Sequence, residues 1–268
     1  MPIEITGDII KGRNELQSTE KDIILASGQF LARGAVDNGK LKWATKPNME
    51  TASILAHRGM WSKRCEANTL ESLERALLNG FGLETDVRDL NGRLVISHDP
   101  PLESSEPPTL QSLFDIVKRR ASPGRIALNI KADGLCAAIQ DEIKASGINP
   151  YQIFVFDMSV PDSMHFLDKS IPTYTRVSEF EDCVDLIKKA TGVWVDNMKG
   201  EFPQVLRSAD LLTMGTKVAI VSPELHGREH LPVWKSILDY GVHNDPNFEL
   251  CTDFPSEASQ FFCNTQGR

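Results

Sequence analysis

Cysteine is scarce in this chain, and its spacing excludes the small folds that a structural zinc ion holds together. Cys65, Cys136, Cys183, Cys251 and Cys263 include no CxxC pair, so no structural zinc site is expected. An odd number of unpaired cysteines is typical of reduced thiols and predicts a cytoplasmic protein. Cys136 and Cys251 lie within apolar patterns and are expected to pack as small core residues.

Long apolar runs and an excess of basic residues are missing as well. No stretch reaches the roughly 18 apolar residues that a membrane span requires, and the N-terminus lacks the basic and apolar regions of a signal peptide. The net charge of -8 disfavours nucleic acid or an anionic membrane as the main partner, because both attract basic surfaces. With 268 residues, of which 41% are hydrophobic, the chain can bury a sizeable core without disulfides.

From residue 53 onward, short apolar runs alternate with segments whose apolar residues recur at helical spacing. Repeated strand–helix units of this kind predict a parallel sheet covered on both faces. An eight-stranded barrel needs one strand fewer than the pattern contains, and the pattern does not show which one is extra. The nine predicted strands are SILAH (53–57), GLETDV (82–87), RLVISH (93–98), RIALNIK (125–131), QIFVFD (152–157), PTYTR (172–176), GVWVD (192–196), KVAIVS (217–222) and FELCTD (248–253).

The connection between the second and third runs, VRDLNGR (87–93), contains no helix and carries an Asn91-Gly92 turn signal. We predict that the chain descends through it and climbs back through RLVISH. At roughly 3.3 Å per residue, five extended residues cover about one barrel height. Asp86 and His98 would then finish at the same, C-terminal end of the strands, where parallel barrels hold their active sites.

Residues 1–50 differ from the rest of the chain. IEITGDII, DIILASGQFLARGAV and KLKWATK are strand-like, and Asp37-Asn38-Gly39 is typical of a hairpin turn. We therefore predict a small β-rich appendage over residues 1–50, before a barrel over residues 51–268. This appendage could cover one end of the barrel or mediate a homodimer.

Polar residues cluster where predicted strands end, in AHRG (56–59), ETD (84–86), SHD (97–99), NIK (129–131) and TDFP (252–255). Residues two apart in a strand share a face, so Glu84 and Asp86 point the same way. Two carboxylates on one inward face repel each other unless a cation or a proton lies between them. A divalent cation with oxygen ligands satisfies this pair, and a solvated strand edge is the alternative.

In their order and spacing these runs resemble the opening signature of the glycerophosphodiester phosphodiesterases: AHRG, then ANT (67–69), ETDVRD (84–89), a short Asn-Gly turn, and VISHD (95–99). NIK and TDFP also fall where that family has similar runs. The resemblance covers about residues 53–262 and is most specific over 53–99. It implies a (β/α)8 TIM barrel, irregular at strands 2–3, and an enzyme that hydrolyses phosphodiesters in lipid metabolism.

The resemblance also implies roles for individual residues. His57 and His98 would be the general acid/base pair, since histidine can both accept and donate a proton near neutral pH. Glu84 and Asp86 would hold a divalent metal, Mg²⁺ first and Ca²⁺ as the alternative, which polarises the phosphoryl group. The cations expected to bind the phosphate are Arg58 and Lys131, with Arg176 from a later strand.

The sequence departs from the family pattern at two positions. The family's PENT motif is here Glu66-Ala67-Asn68-Thr69, so Ala67 takes the acidic position and Glu66 stands one place earlier. Asn129 takes the position of a third acidic metal ligand. An amide oxygen is still a ligand for a hard cation, but the site loses one negative charge, and weaker metal binding is expected.

The loop after Asp99 is a further departure, because about ten residues lead to the helix near Thr109, where many family members have a long insertion. A more open cavity is expected, with a substrate that need not be a simple glycerophosphodiester.

Later strands supply further candidates for the rim of the site. Tyr174 could contact a phosphate or headgroup. Trp194 could stack on a sugar or glycerol or pack in the core, and Asp196 ends the same strand. Glu224 and His226 could contact substrate or simply face water, and Asp253 is expected to cap the last helix.

Three functions remain open from the sequence. Water could attack the phosphodiester in hydrolysis, or a neighbouring substrate hydroxyl could attack and give a cyclic phosphate, as in phospholipase D-like transesterification. A non-catalytic phosphoester-binding module is the third alternative, although such a module would need no acid/base pair.

Overall fold

The computed structural model of the chain describes residues 21–24, 30–37, 40–43, 49–120 and 124–263. The chain divides into two compact units, Met1–Lys46 and Pro47–Arg268. The predicted boundary, after residue 50, lies four residues further along the chain. The first unit contains β1 (Lys21–Ile24), β2 (Phe30–Asp37) and β3 (Lys40–Trp43), which pair antiparallel in that order. Asp37 lies opposite Lys40, and residues 38–39 of the predicted turn lie outside the described residues. The predicted strand IEITGDII lies outside the described residues.

Ten strands form the sheet of the second unit. All nine predicted runs contain a strand, and a short strand at residues 181–182 is additional. In chain order these are β4 (Ile54–His57), β5 (Gly82–Leu90), β6 (Arg93–Ile96), β7 (Ile126–Ile130), β8 (Ile153–Phe156), β9 (Tyr174–Ser178), β10 (Glu181–Asp182), β11 (Gly192–Val195), β12 (Lys217–Val221) and β13 (Phe248–Thr252).

The sheet is mixed and curls into a TIM-like barrel. Eight of its strands follow in the order β9-β11-β12-β13-β4-β5-β7-β8, with parallel neighbours along that path. Its two ends meet at a parallel bridge between Val155 and Thr173 and a 2.9 Å hydrogen bond from Val155 N to Pro172 O. The remaining strands, β6 and β10, pair antiparallel with β5 and β9.

Helices follow most of the parallel strands and cover the outside of the sheet. Thr69 begins the first of them by accepting a hydrogen bond from Ser72 N, and Gly147, at φ 69°, ends the third in the left-handed conformation that glycine tolerates. No helix of the described residues is long and apolar enough to cross a bilayer. The helices are α1 (Leu70–Leu78), α2 (Leu110–Arg120), α3 (Cys136–Ser146), α4 (Val160–Asp168), α5 (Val184–Lys189), α6 (Gln204–Thr213), α7 (Leu231–Tyr240) and α8 (Pro255–Cys263).

The alternation of side chains along each strand places the polar strand ends inside the sheet. In β4, Ile54 and Ala56 belong to the apolar cluster shared with the helices, whereas Leu55 belongs to a second, smaller cluster made mainly by strand residues. His57 is two residues beyond Leu55 and therefore lies on the same inner face. Ala127 precedes Asn129 in β7 in the same way. The inner face thus changes from apolar to polar at the C-terminal ends of the strands.

The excursion between β5 and β6 runs in the direction opposite to the predicted one. β5 continues straight past Asp86 to Leu90, the chain turns at Asn91 and Gly92, and β6 returns antiparallel, with Val87 opposite Ile96. The chain therefore rises beyond the sheet and comes back, instead of descending and climbing. A hydrogen bond from Ser97 N to Asp86 O, 3.1 Å long, ends the hairpin and places His98 next to the strand end.

Gly59, which follows the strand end at His57, contacts the backbone of α1. Its φ is +86°, and an added Cβ would lie 2.6 Å from the carbonyl carbon of Ser72. Because alanine brings both an unfavourable backbone conformation and this clash, Gly59→Ala is expected to lower the free energy of unfolding by about 2–4 kcal/mol in urea titrations.

Gly92→Ala is a matched control for Gly59→Ala. Gly92 also has a positive φ, of +77°, but an added Cβ there meets no atom within 4 Å. An equal loss in the two variants would show that the close approach at Gly59 contributes nothing.

Candidate active site

A cavity of about 330 Å³ opens at the C-terminal ends of the parallel strands. One part of its wall is polar and charged, and the other part is apolar. The polar residues are His57, Arg58, Arg64, Glu84, His98, Asn129, Lys131, Asp157, Arg176, Asp196 and His226, and the apolar residues are Phe156, Trp194, Met198, Val221 and Leu225. Of the residues predicted to catalyse or to bind metal or substrate, all but the fully buried Asp86 line this cavity, whereas the rim candidates Tyr174 and Glu224 do not line it.

His57 is held by a carboxylate that the sequence pattern did not assign to the site. Its Nδ1 lies 2.6 Å from Oδ1 of Asp253, which follows β13 and is only 10% exposed. In the tautomer that donates a hydrogen bond from Nδ1–H to Asp253 Oδ1, Nε2 carries no proton and lies 3.7 Å from Glu84 Oε2. Asp253 was predicted to cap the last helix. That prediction is wrong, because α8 begins only at Pro255 and the carboxylate is turned to His57.

Glu224 supports this pair from the loop after β12. Its Oε1 accepts a 3.1 Å hydrogen bond from Asp253 N and another from the hydroxyl of Thr252. Its second oxygen accepts from Ser222. Glu224 therefore anchors the backbone that carries Asp253.

Glu84 and Asp86 are buried side by side, with exposures of 1% and 0%. Burial, followed by the negative charge of Asp86, raises the pKa of Glu84 to about 7. Two cations approach Asp86: Arg58 Nε is 2.8 Å from Oδ2, and Lys131 Nζ is 3.5 Å from Oδ1. The carboxyl pair is thus partly neutralised by fixed charges of the chain itself.

Asn68, in the ANT run, holds Asp86 in place. Its Nδ2 donates to Asp86 Oδ2 over 2.9 Å, while its Oδ1 accepts from the Thr85 hydroxyl over 2.8 Å. Glu66 does not take part: it accepts from Ser62 N and pairs with Arg75, and it does not line the cavity. The sequence pattern did not identify Asn68 as a site residue. The signal available was its position next to Ala67, which takes the acidic position of the family motif.

Asn129 lies beside Asp86 in the sheet, since the two residues are register partners of β7 and β5. Asn129 Oδ1 and Asp86 Oδ1 are buried oxygen atoms that accept no hydrogen bond from any described residue. Buried oxygens without a donor are suited to a hard cation. The described part of the chain contains no group of three or more His, Cys, Asp or Glu side chains that could hold a metal. The donor set therefore fits a divalent cation only as two carboxylates and one amide.

Asp157 joins two of the predicted phosphate-binding cations. Its Oδ2 is 3.3 Å from Lys131 Nζ, and its Oδ1 is 2.6 Å from Arg176 Nη1. Arg176 also pairs with Glu181 of the short strand β10. Asp157 has a φ of +75°, which is unusual for a residue other than glycine. It was missed as a site residue, and the positioning of both cations depends on it.

His98 is much less enclosed than His57. Its side chain is 47% exposed, and its Nδ1 partner at 2.8 Å, Asp99, is 88% exposed. Arg88 fixes the backbone of this residue through a 2.9 Å hydrogen bond from Nε to the His98 carbonyl. The sequence therefore brings His98 to the cavity on a well-held backbone, with a side chain open to water.

Of the two aromatic candidates, Trp194 borders the cavity and Tyr174 does not. Trp194 is 5% exposed and stacks on Phe156 with ring centroids 3.9 Å apart, so one face of its ring is covered by core packing while the residue still borders the cavity. Tyr174 begins β9 rather than ending it. Its hydroxyl pairs with Arg125 and Glu249 in the interior, and the prediction that it contacts a phosphate is wrong.

No protein-family model matches the sequence, and a search of curated proteins found no match. Solved structures do match. A glycerophosphodiester phosphodiesterase from Parabacteroides distasonis superposes with a TM-score of 0.63 and 17% identity, over 81% of this chain and 98% of that one. A glycerophosphodiester phosphodiesterase from Thermotoga maritima gives a TM-score of 0.54 and 17% identity, over 81% and 98%.

A phosphodiesterase from Oleispira antarctica, solved with the product sn-glycerol-3-phosphate, is a third structural neighbour. It superposes with a TM-score of 0.59 and 18% identity, over 81% of this chain and 96% of that one. These neighbours are phosphoric diester hydrolases, and the resemblance predicted from the motifs is confirmed at the level of the fold. This chain has the fold of the glycerophosphodiester phosphodiesterases.

Proposed function

We propose that this chain is an enzyme that hydrolyses a phosphodiester in the cavity at the C-terminal ends of its strands. The observation that carries the proposal is the pair of His57 and Asp253, 2.6 Å apart, with the free ring nitrogen near the buried carboxyl group of Glu84. A histidine whose tautomer is set by a buried carboxylate is prepared for proton transfer. A protein that only binds phosphoesters has no need of such a pair.

The substrate is proposed to be a glycerophosphodiester or a related diester of a sugar or another alcohol. The Oleispira antarctica neighbour, solved with sn-glycerol-3-phosphate as its product, supports the glyceryl arm. The connection from β6 to α2 contains no further helix, which supports an open cavity that admits a larger second alcohol.

His57 and His98 would share the two proton transfers. One histidine takes a proton from the attacking water, and the other gives a proton to the alcohol oxygen as its bond to phosphorus breaks. The products are a phosphomonoester and a free alcohol. The phosphate would be bound by Arg58, Lys131 and Arg176, whose charges are held in place by Asp86 and Asp157. Trp194 would line the part of the cavity that holds the alcohol group of the substrate.

A divalent cation, Mg²⁺ or alternatively Ca²⁺, is proposed to bind between Glu84, Asp86 and Asn129. The fit rests on the two buried oxygen atoms without hydrogen-bond donors and on the neighbouring carboxyl groups, whose repulsion a cation would relieve. When bound, the ion would neutralise charge on the phosphoryl oxygens. The donor set carries two negative charges rather than three, so weak binding is expected.

Asn129→Asp is expected to bind Mg²⁺ at least about tenfold more tightly than the native chain, because it adds a negative charge beside a divalent ion at nearly constant shape. Calorimetric titration of Mg²⁺ at pH 8, above the pKa of about 7 of Glu84, measures this affinity without any substrate. Asn91→Asp adds the same charge at the exposed hairpin turn and serves as the control. Equal Mg²⁺ affinities in these two variants would argue against a metal site at Asn129.

The proposed function is tested most broadly with a panel of substrates. The purified chain is incubated with glycerophosphodiesters, sugar-linked diesters and nucleotide-linked diesters, in Mg²⁺, in Ca²⁺ and in EDTA, and alcohol release is measured. Turnover of at least one diester that EDTA suppresses would support hydrolysis with a metal. Turnover indifferent to EDTA would remove the metal from the proposal, and binding without turnover across the panel would favour a phosphoester-binding module.

A further inference from the structure

A second histidine–carboxylate pair lines the cavity, and the proposed hydrolysis does not use it. His226 ends a short 3-10 helix, Pro223–His226, in the loop after β12. Its Nε2 lies 2.7 Å from Oδ1 of Asp196, which follows β11 and has a side chain only 9% exposed. Asp196 Oδ1 also accepts a 2.8 Å hydrogen bond from Asn197 N, which helps to hold the carboxylate in place.

This pair lies across the cavity from the carboxyl pair. Glu84 lies on β5, and Asp196 follows β11. With the bridge between β8 and β9 counted as a pairing, β11 is the fourth strand from β5 in either direction around the curled sheet. Apolar side chains line the same part of the cavity as His226, among them Trp194, Val221 and Leu225. Arg176, the register partner of Trp194, also lines it. The far wall therefore combines an apolar surface with the His226–Asp196 pair and a cation.

The hydrogen bonding of His226 determines which ligand group it can take. Asp196 occupies Nε2, and Nδ1 makes no hydrogen bond to any described residue. A hydroxyl group both donates and accepts, so it can bond Nδ1 whether or not the ring is protonated. The apolar wall suits the carbon skeleton that carries such a hydroxyl group. A simple alkyl chain would fit the wall but leave Nδ1 without a partner.

We infer that His226, positioned by Asp196, binds a hydroxyl group of the substrate alcohol and makes the site selective for polyol diesters over alkyl diesters. The inference rests on the proposed hydrolase function and adds a specificity residue to it. A site that hydrogen-bonds a hydroxyl group discriminates against the analogue that lacks it, because the polar group of the protein then stays unpaired.

Two chromogenic diesters with the same leaving group test the inference: glyceryl p-nitrophenyl phosphate and propyl p-nitrophenyl phosphate. The native chain is expected to have a higher kcat/KM for the glyceryl diester. In His226→Leu the ratio of the two kcat/KM values is expected to fall by about tenfold, the usual effect of one lost hydrogen bond. His165→Leu replaces a histidine of α4 that does not line the cavity, and it should keep the native ratio.

The outcomes separate this inference from the proposed function. If the native chain releases p-nitrophenol from neither diester and turns over no diester of the panel, the hydrolase proposal fails, and the inference that rests on it fails as well. If it hydrolyses both with no preference, or if the ratio is unchanged in His226→Leu, the role of His226 is refuted while the hydrolase stands. His226→Phe, which keeps a planar ring without nitrogen atoms, gives the same readout if the leucine variant does not fold.

Discussion

Replacing His57 with glutamine is expected to reduce phosphodiester turnover by about 10²–10⁴-fold, the usual contribution of a general acid or base. Glutamine keeps a polar side chain of similar reach but cannot exchange a proton near neutral pH. Because the glutamine amide can still donate a hydrogen bond to Asp253, which stays in place, the fold should persist. Steady-state kinetics on the best diester of the panel, with thermal unfolding of the same samples, measures both expectations.

Two further variants show whether the loss comes from proton transfer at His57. His165→Gln changes a histidine of α4 outside the cavity and should keep native kinetics. Asp253→Asn keeps the shape of the partner but no longer favours the productive ring tautomer, so its activity should fall between those of the native chain and His57→Gln. A folded His57→Gln variant with native kcat/KM would contradict the assignment of His57.

Asp86→Ala is expected to lower the free energy of unfolding by about 3–5 kcal/mol, the usual loss when one partner of a buried ion pair is removed. Asp86 is fully buried, and its carboxylate lies between Arg58 at 2.8 Å and Lys131 at 3.5 Å. Without it, Arg58 loses its only described ion-pair partner, and the amide of Asn68 loses an acceptor. Urea denaturation of the metal-free protein, kept in EDTA, measures this loss apart from any effect of a bound cation.

The control for Asp86→Ala is Asp99→Ala, which removes a carboxylate that follows β6 and is 88% exposed. Water can solvate His98 after this change, so the unfolding free energy should stay nearly native. If Asp86→Ala were no less stable than Asp99→Ala, the ion-pair cluster beneath the cavity would have no structural role. Both variants carry the same change in net charge, which cancels in the comparison.

Alternation along the strands made most of the cavity predictable from the sequence. Once AHRG, ETD and NIK are placed at the ends of parallel strands, residues two apart must share the inner face, and His57, Glu84 and Asn129 are brought together. The repeated strand–helix units also predicted a covered parallel sheet, and the order of the motifs predicted the barrel through the family resemblance. The motifs were informative here because each ends a strand with a short, fixed spacing.

Contacts between residues distant in the chain were not predictable in the same way. Asp253 and His57 are 196 positions apart, and only the curl of the sheet, which returns β13 to β4, makes them neighbours. The predicted direction of the β5–β6 hairpin was wrong for a related reason. Extended residues with buried Leu90 and Leu94 are compatible with a strand that continues beyond the sheet or folds back along it.

Tyr174 shows a third kind of error, in the position of a residue along its strand. The run PTYTR was expected to end at the cavity, but β9 begins at Tyr174 and continues to Ser178. The side chain therefore lies near the start of the strand, where it bonds Arg125 and Glu249 in the interior. A shift of a few residues is enough to move a side chain from one end of a short strand to the other.

The proposed hydrolysis of a phosphodiester by water in this cavity is tested by phosphorus NMR of the reaction in ¹⁸O-labelled water. The purified chain is supplied with Mg²⁺ and each diester of the panel, beginning with a glycerophosphodiester, and the product signals are followed over time. We expect a phosphomonoester that carries one ¹⁸O atom on phosphorus and no cyclic intermediate. A cyclic phosphate as the accumulating product would show that a substrate hydroxyl attacks in place of water. An unchanged diester for every member of the panel would contradict the proposed hydrolysis altogether.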